Sequence, residues 1–349
     1  MRMLSFSLPT KVVVGKQALR ELGGVLGVWG FSSAALFTDE IVEKIVGREV
    51  AQELEDTGFN VTVHLVGPAT QEEFEKGRNL LKEVKADVVI GLGGGRVIDA
   101  AKYAAHFENK PFISAPTAVS HDGIASPSIS FKDEEGKPCS IFSKPPLAVI
   151  ADIDVISKAP FRLLASGFAD LMSKVTSVRD ALLAYKLGKE EVSLYALELA
   201  KTSLKIALKY AENIARRDSL GIKMLALAAI TSGMSMAVNG SSRPASGSEH
   251  LFSHALDIVY PEKRSLHGEQ VGVGTIMMAY LHGLNWRKVR EKLQLVGAPV
   301  NAEQLGVPPE IIVKALVIAP EVRARYTILG DKRLPEEAAR RLAKNTMVI

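Results

Sequence analysis

Short apolar, often β-branched runs alternate with helical patterns through the first part of the chain. Lys11–Gly15 (KVVVG), Ala34–Thr38 (AALFT), Val61–Val66 (VTVHLV), Ala86–Leu92 (ADVVIGL), Pro111–Ala115 (PFISA) and Leu147–Ala151 (LAVIA) predict strands. The near-continuous apolar run 86–92 is what a strand buried on both faces requires. Between the first five runs lie helical patterns at Ala18–Leu26, Ile41–Thr57, Gln71–Lys85 and Val97–Phe107. This alternation predicts an α/β domain, Rossmann-like, with an open parallel sheet and helices on both faces. After Asp154 strand-like runs fade. Helical patterns at Arg162–Lys174, Glu191–Asn213, Leu220–Val238, Glu249–Val259, Gly272–Leu284 and Trp286–Leu295 predict an all-α second domain. The boundary is expected at Ser157–Pro160, giving domains 1–157 and 158–349, and a cleft between domains is a preferred place for a ligand.

A length of 349 residues also favours two domains over one core. The 47% hydrophobic and 23% charged residues are ordinary for a soluble globular protein. A net charge of +4, with Lys and Arg interleaved among acids, argues against nucleic acid as the main partner and leaves an anionic small substrate open. Cys139 is the sole cysteine, so no internal disulfide and no thiolate metal site can form, and a reducing compartment fits. The N-terminal MRMLSFSLPTKVVVG has no signal-like apolar core. Met224–Val238 is the most apolar stretch, but Thr231, Ser232, Gly233 and Ser235 interrupt it. It reads as a buried core helix without membrane insertion, and a cytoplasmic location is expected.

Two groups of residues carry candidate chemistry. Gly93-Gly94-Gly95 follows the buried run 86–92 and opens a helical pattern. Glycines there let the backbone approach a phosphate at a helix N-terminus, although an ordinary strand–helix turn has the same look. Asp39, at the end of the second strand, could accept from ribose hydroxyls or merely cap a helix. The loop SAPTAVSHDGIASPS (114–128) is longer than a connection needs. Thr117, Ser120 and Ser126 could bond a cofactor and Asp122 a substrate hydroxyl, or all could cap the loop itself. Asp170, His250, His254 and His267 make a carboxylate–imidazole set suited to Zn²⁺ or Fe²⁺. His250 and His254 are four residues apart, hence on one helix face. His64, His106 and His282 read as structural.

Taken in order, GGGRVIDAAK, SAPTAVSHDGIASPS, GFADLMSK, SRPASGSEHLFSHAL and LHGEQVGVGT resemble the iron-containing alcohol dehydrogenase superfamily, over nearly the whole chain. Its members include glycerol dehydrogenase and dehydroquinate synthase. HDGIASP and RPASGSEH are similar to the archaeal glycerol-1-phosphate dehydrogenase subgroup. The resemblance implies a dinucleotide-binding N-terminal domain, a helical metal- and substrate-binding domain, and a site in the cleft. It implies Asp170, His250 and His267 as metal ligands, with Asp170 also touching substrate and His254 turned to substrate instead of metal. Asp122 and His254 become the catalytic candidates. NAD(H) or NADP(H) would meet Asp39, Gly93, Gly94, Gly95, Arg96, Val97, Ile98, Asp99, Thr117, Ala118, Val119, Ser120 and Ser126. The implied reaction reduces dihydroxyacetone phosphate to sn-glycerol 1-phosphate for ether-lipid backbones, with zinc favoured over iron in a homo-oligomer. Arg243 is a positional candidate for the substrate phosphate. Glycerol dehydrogenase, a dehydroquinate-synthase-like lyase and a non-catalytic NAD-binding protein are the competing readings.

Overall fold

The computed structural model describes residues 4–136, 138–262 and 265–349. The chain forms two compact units. One comprises the chain up to Val119 together with Gly123–Ala159; the other comprises Ser120–Asp122 and Pro160–Ile349.

The first unit holds β1 (Lys11–Gly15), β2 (Ser33–Thr38), β3 (Asn60–Leu65), β4 (Val88–Gly93), β5 (Phe112–Pro116) and β8 (Ala148–Asp152) in one sheet. Every pairing is parallel and the order is β1-β8-β5-β4-β2-β3. Strand periodicity explains the two layers around it. Ala34, Leu36, Val88 and Ile90 point to one face, against Leu22, Val25 and Leu26 of α1 (Leu22–Val28) and Val50 and Leu54 of α2 (Arg48–Asp56). Ala35, Phe37 and Val89 point to the other, against Phe74 and Leu81 of α3 (Gln71–Glu83) and the apolar face of α4 (Gly95–Phe107). The expected doubly covered parallel sheet is therefore present, and the glycine turn follows the fourth strand.

The second unit is helical. Its site-bearing helices are α5 (Phe161–Met172), α6 (Lys174–Lys186), α7 (Leu194–Lys209), α8 (Ser219–Asn239), α9 (Ser248–Val259) and α10 (His267–Leu281). Helix α8 is long and apolar enough to cross a membrane, but most of it is buried in the core, as its polar interruptions predicted.

Several elements differ from expectation for physical reasons. Helix α6 was missed because it has little amphipathic pattern: Thr176, Ser177 and Asp180 sit on its buried side, held by hydrogen bonds. The pattern Glu191–Asn213 breaks into α7 and a short helix Ala211–Arg216. A helix Pro309–Ile318, a helix Glu336–Asn345 and an antiparallel hairpin of β6 (Ser128–Lys132) and β7 (Pro138–Phe142) were not anticipated. The helical segment expected over Ile41–Thr57 contains a π-turn at Glu43–Gly47.

Asp87 ties β2 to the chain entering β4. Its Oδ2 accepts from the backbone N–H groups of Ser32 and Ser33 and from both hydroxyls, at 2.8–3.0 Å. The Ser32 amide and Ser33 hydroxyl lead in pulling its carboxyl down to about 2. A depressed carboxylate adds stability that is present above its unfolded pKa, near 4, and is lost as pH falls through the folded value. Allowing for its partial exposure, Asp87→Asn should cost about 1 kcal/mol at pH 7. The difference from wild type in urea unfolding should shrink between pH 4 and pH 2; an equal loss at both ends would rule out the charge as the cause.

Candidate metal centre and dinucleotide turn

In the helical unit α5 carries Asp170, α9 carries His250, and α10 begins at His267. Close packing brings them together. A Cβ on Gly268 would lie 2.1 Å from the Ser166 carbonyl oxygen, so only glycine lets α10 press its first turn onto α5. One ligand atom from each of Asp170, His250 and His267 then lies within 4.8 Å of the others. Asp170 Oδ1 is buried with no hydrogen-bond partner, 3.5 Å from His250 Nε2. An unmet carboxylate oxygen facing two imidazoles is costly unless a cation takes it, so the donor set fits a divalent metal.

The surroundings fix which ring nitrogens face that point. Glu249 is fully buried; its carboxylate accepts from Gly247 N and Thr176 Oγ1, each at 2.6 Å. Burial works against its charge, but the bonds from His250 and Thr176 keep its pKa below the ordinary value. An ionised Glu249 can only accept, so His250 donates through Nδ1 at 2.9 Å, and Nε2 is the ring nitrogen turned towards Asp170. A second relay acts on His267. Gln270 donates its amide to Ser265, which leaves Gln270 Oε1 to accept from Ser253 Oγ at 2.7 Å. Ser253 Oγ then accepts from His267 Nδ1 at 3.2 Å, freeing His267 Nε2. Partners of this kind orient metal-binding histidines generally.

Asp122 joins the same unit. Its backbone N–H donates to Asp170 Oδ2 at 3.0 Å. Its Oδ2 accepts from Ser232 Oγ at 2.6 Å and pairs with Lys174 Nζ at 2.8 Å. Lys174 is completely buried; it also donates to the Asp170 carbonyl and lies 3.7 Å from Asp170 Oδ2. Burial pushes its pKa down, but Asp122 and Asp170 outweigh that and raise it. Conversely, burial opposes the charge of Asp170, and Lys174 with His250 holds it well below the usual carboxylate range.

His254 is one turn beyond His250. Its ring centroid lies 5.9 Å from that of His267, and burial pushes its pKa down to about 4, so it is neutral at pH 7. His121, undiscussed from sequence, lies 6.4 Å from His267 centroid to centroid. Arg243 does not behave as its position suggested. It is buried, donates to the carbonyls of Asp180, Tyr326 and Ser246, and sets Nε 2.7 Å from Glu190. His282 pairs with buried Asp180 at 2.9 Å, a structural role as expected.

In the α/β unit the candidates line the carboxyl edge of adjacent strands. Order β3-β2-β4-β5 reverses direction between β2 and β4, and ligands in such sheets bind outside that switch point. Asp39 follows β2, Gly93–Gly95 end β4 and open α4, and Thr117 follows β5, its N–H donating to the Gly93 carbonyl at 3.0 Å. Gly93 has an internal reason to be glycine, since a Cβ would lie 2.6 Å from Val97. Gly94 has none: a Cβ there would meet nothing within 4 Å, and its φ is −76°. Asp39 does cap a helix, accepting from Ile41 N and Val42 N, while its other oxygen meets Arg96 at 3.3 Å. Asp99 turns inward to Lys102 and the Ser130 amide. Val97, Ile98, Ala118 and Val119 are buried, and Ser126 bonds within its own turn. Ser120 belongs to the helical unit, where its carbonyl accepts from Ser166.

A doubly wound nucleotide-type unit and a helical unit with a carboxylate–imidazole centre define the class: metal-dependent, dinucleotide-linked dehydrogenases. A family described as iron-containing alcohol dehydrogenase matches residues 13–160. The chain is 49% identical to glycerol-1-phosphate dehydrogenase [NAD(P)+] of Thermofilum pendens over 98% of both chains. It is 48% identical to the Pyrococcus furiosus enzyme of the same name, again over 98% of both. The fold is also that of glycerol dehydrogenase from Schizosaccharomyces pombe, with TM-score 0.83 and 24% identity over 99% of this chain and 91% of that one. The chain therefore belongs to the glycerol-1-phosphate dehydrogenase family of the iron-containing alcohol dehydrogenases.

Sequence reading missed Lys174, Glu249, Ser253 and Gln270, although Lys174 lies four residues after Asp170 and Glu249 directly precedes His250. Lys174→Met leaves two buried carboxylates without their cation and should destabilise the metal-free protein by about 3–5 kcal/mol. Adding Asp122→Asn should recover part of that loss in chemical denaturation. Unaltered unfolding of the single variant would show that the buried pair contributes nothing.

Proposed function

We propose that this protein reduces dihydroxyacetone phosphate to sn-glycerol 1-phosphate with NADH or NADPH, supplying the glycerol backbone of archaeal ether lipids. The observation that carries this reading is the convergence of Asp170, His250 and His267 in a chain 49% identical to an enzyme named for that reaction. The α/β unit serves as the dinucleotide-binding domain, bounded near residue 157, and the helical unit holds metal and substrate. The protein works in the cytoplasm as a homo-oligomer.

Asp170 Oδ1, His250 Nε2 and His267 Nε2 hold one divalent ion, zinc in preference to iron. When bound, that ion supplies Lewis-acid stabilisation of the negative charge that develops on the substrate oxygen as hydride arrives. The chain's own residues do the rest. Asp122 Oδ1 accepts from the substrate hydroxyl, with Oδ2 held by Lys174 and Ser232 so that the carboxylate does not swing. His254 contacts the substrate beside the reacting carbon. Being neutral at pH 7, it carries one N–H and one lone pair, so it passes a proton to the product oxygen while taking another from water.

Gly94 gives the cofactor pyrophosphate its approach to the first N–H groups of α4, where the helix dipole favours negative charge. Thr117 borders it within the same unit, and Asp39 accepts from the adenosine ribose.

The deciding assay follows NAD(P)H oxidation with dihydroxyacetone phosphate, before and after chelation and with zinc or iron added back. Activity should vanish on chelation, return with metal, and fall at least 100-fold in His250→Ala. Turnover of glycerol or dihydroxyacetone alone would move the protein to the glycerol dehydrogenase reading, and consumption of substrate without NAD(P)H oxidation to the lyase reading. Gly94→Val should raise the KM for either reduced cofactor more than tenfold while leaving metal content unchanged. An unaffected cofactor KM would remove the turn from the binding site.

A further inference from the structure

The segment Arg323–Ile328 is held against the helical unit by its backbone. Tyr326 N donates to Glu190 Oε1 at 2.8 Å, Ile328 N donates to Asp180 Oδ1 at 2.8 Å, and the Tyr326 carbonyl accepts from Arg243. Asp180 is fully buried and is itself fixed by Ser248, whose N–H and hydroxyl both donate to its Oδ2. Ser248 starts α9, two residues before His250. The segment is thus registered to the helix that carries His250 and His254.

Arg325 is the side chain this arrangement presents. Its Nη1 donates to the Ser246 carbonyl and hydroxyl, both at 2.6 Å, and its Nη2 to Ser242 Oγ at 3.0 Å. All three partners are neutral oxygens, and no carboxylate among the described residues pairs with it. Burial, with the charges of Arg243 and Arg323 behind it, pushes the Arg325 guanidinium down to about 10 against the weaker opposing pull of Glu190 and Glu249. Arg323 also acts on His254, lowering its pKa after burial. Arg243, by contrast, has Glu190 as counter-ion. A desolvated guanidinium bonded to no carboxylate, flanked by serine hydroxyls and a second arginine, is complementary to a tetrahedral oxyanion.

We propose that Arg325, together with Arg323, binds the phosphate group of the substrate, and that Arg243 is a positioning residue that holds their segment in register. The assignment rests on the reading of this site as one for a phosphorylated three-carbon ketone. It replaces the positional candidate Arg243 with the two arginines whose loop Arg243 anchors.

The test uses the full-length, metal-loaded enzyme and two probes, dihydroxyacetone phosphate and inorganic phosphate. Arg325→Lys and Arg323→Gln should each raise the KM for dihydroxyacetone phosphate at least tenfold, with a much smaller change in kcat. The inhibition constant of inorganic phosphate should rise by a similar factor, and its protection against thermal unfolding should weaken in parallel. Arg243→Lys should raise the same KM with kcat nearly intact, a split that simple loss of stability would not give. The Arg323→Gln variant keeps the test decisive should Arg325→Lys fold poorly. KM and phosphate inhibition within twofold of wild type, in variants that melt as wild type does, would overturn the assignment. If the wild-type enzyme proves inactive on dihydroxyacetone phosphate, the proposed function fails, but phosphate protection that is lost in Arg323→Gln would still establish the anion site.

Discussion

One ammonium group, that of Lys174, makes the rest of the helical unit's site feasible. Two carboxylates, Asp122 and Asp170, lie in its immediate contact, and both are buried. Each would lose several kcal/mol of hydration without a compensating charge. Lys174 offsets both at once, and its remaining donors go to the Asp170 carbonyl and Ser173 Oγ, so its own burial is matched by hydrogen bonds. The consequence is geometric as well as electrostatic. A fixed cation holds Asp122 Oδ2, and the Asp122 N–H holds Asp170 Oδ2, which leaves Asp170 Oδ1 as the one oxygen directed at the imidazoles.

From that fixed carboxylate the site is assembled by proton direction. Glu249 dictates the tautomer of His250, and Ser265, Gln270 and Ser253 in series dictate that of His267. None of these partners needs to touch a ligand. Their effect is to turn two ring nitrogens towards one point, which no spacing along the chain could ensure. The Gly268 contact with Ser166 belongs to the same logic, because the α10 N-terminus must sit within one atom's diameter of α5 before His267 can take part.

Much of this was legible in the sequence, and the failures have a common cause. The parallel sheet was readable because its strands are apolar runs such as 86–92 between amphipathic helices, and Gly93–Gly95 stood where the fourth strand ends. At the metal site the residues alone offered Asp170, His250, His254 and His267 as one undivided set, and it was the family resemblance that singled out Asp170, His250 and His267, which the structure brings within 4.8 Å of one another. Helix α6 was not, because it buries polar residues, and hydrophobic periodicity is silent where the core is polar. Lys174, Glu249 and Ser253 escaped for the same reason: a buried polar or charged side chain looks like a surface one until its partners, distant in sequence, are known. Arg243 was misread in the opposite sense, as a ligand-seeking cation, when Glu190 and three carbonyls had already claimed it.

The same principle of divided allegiance bears on the choice of cofactor. If a dinucleotide lies at the β2–β4 edge as proposed, the residue nearest its adenosine ribose is Asp39, whose charge would repel a 2′-phosphate. Yet one Asp39 oxygen is occupied in capping a helix and the other lies 3.3 Å from Arg96, which is more exposed than Asp39 itself. A 2′-phosphate would meet a carboxylate already half neutralised and a guanidinium able to turn towards it. A ribose hydroxyl would find the carboxylate still able to accept. A pair built in this way discriminates weakly between the two cofactors, whereas an unpaired aspartate would favour NAD strongly. The dual specificity in the relatives' name, NAD(P)+, is the behaviour such a balanced pair would produce.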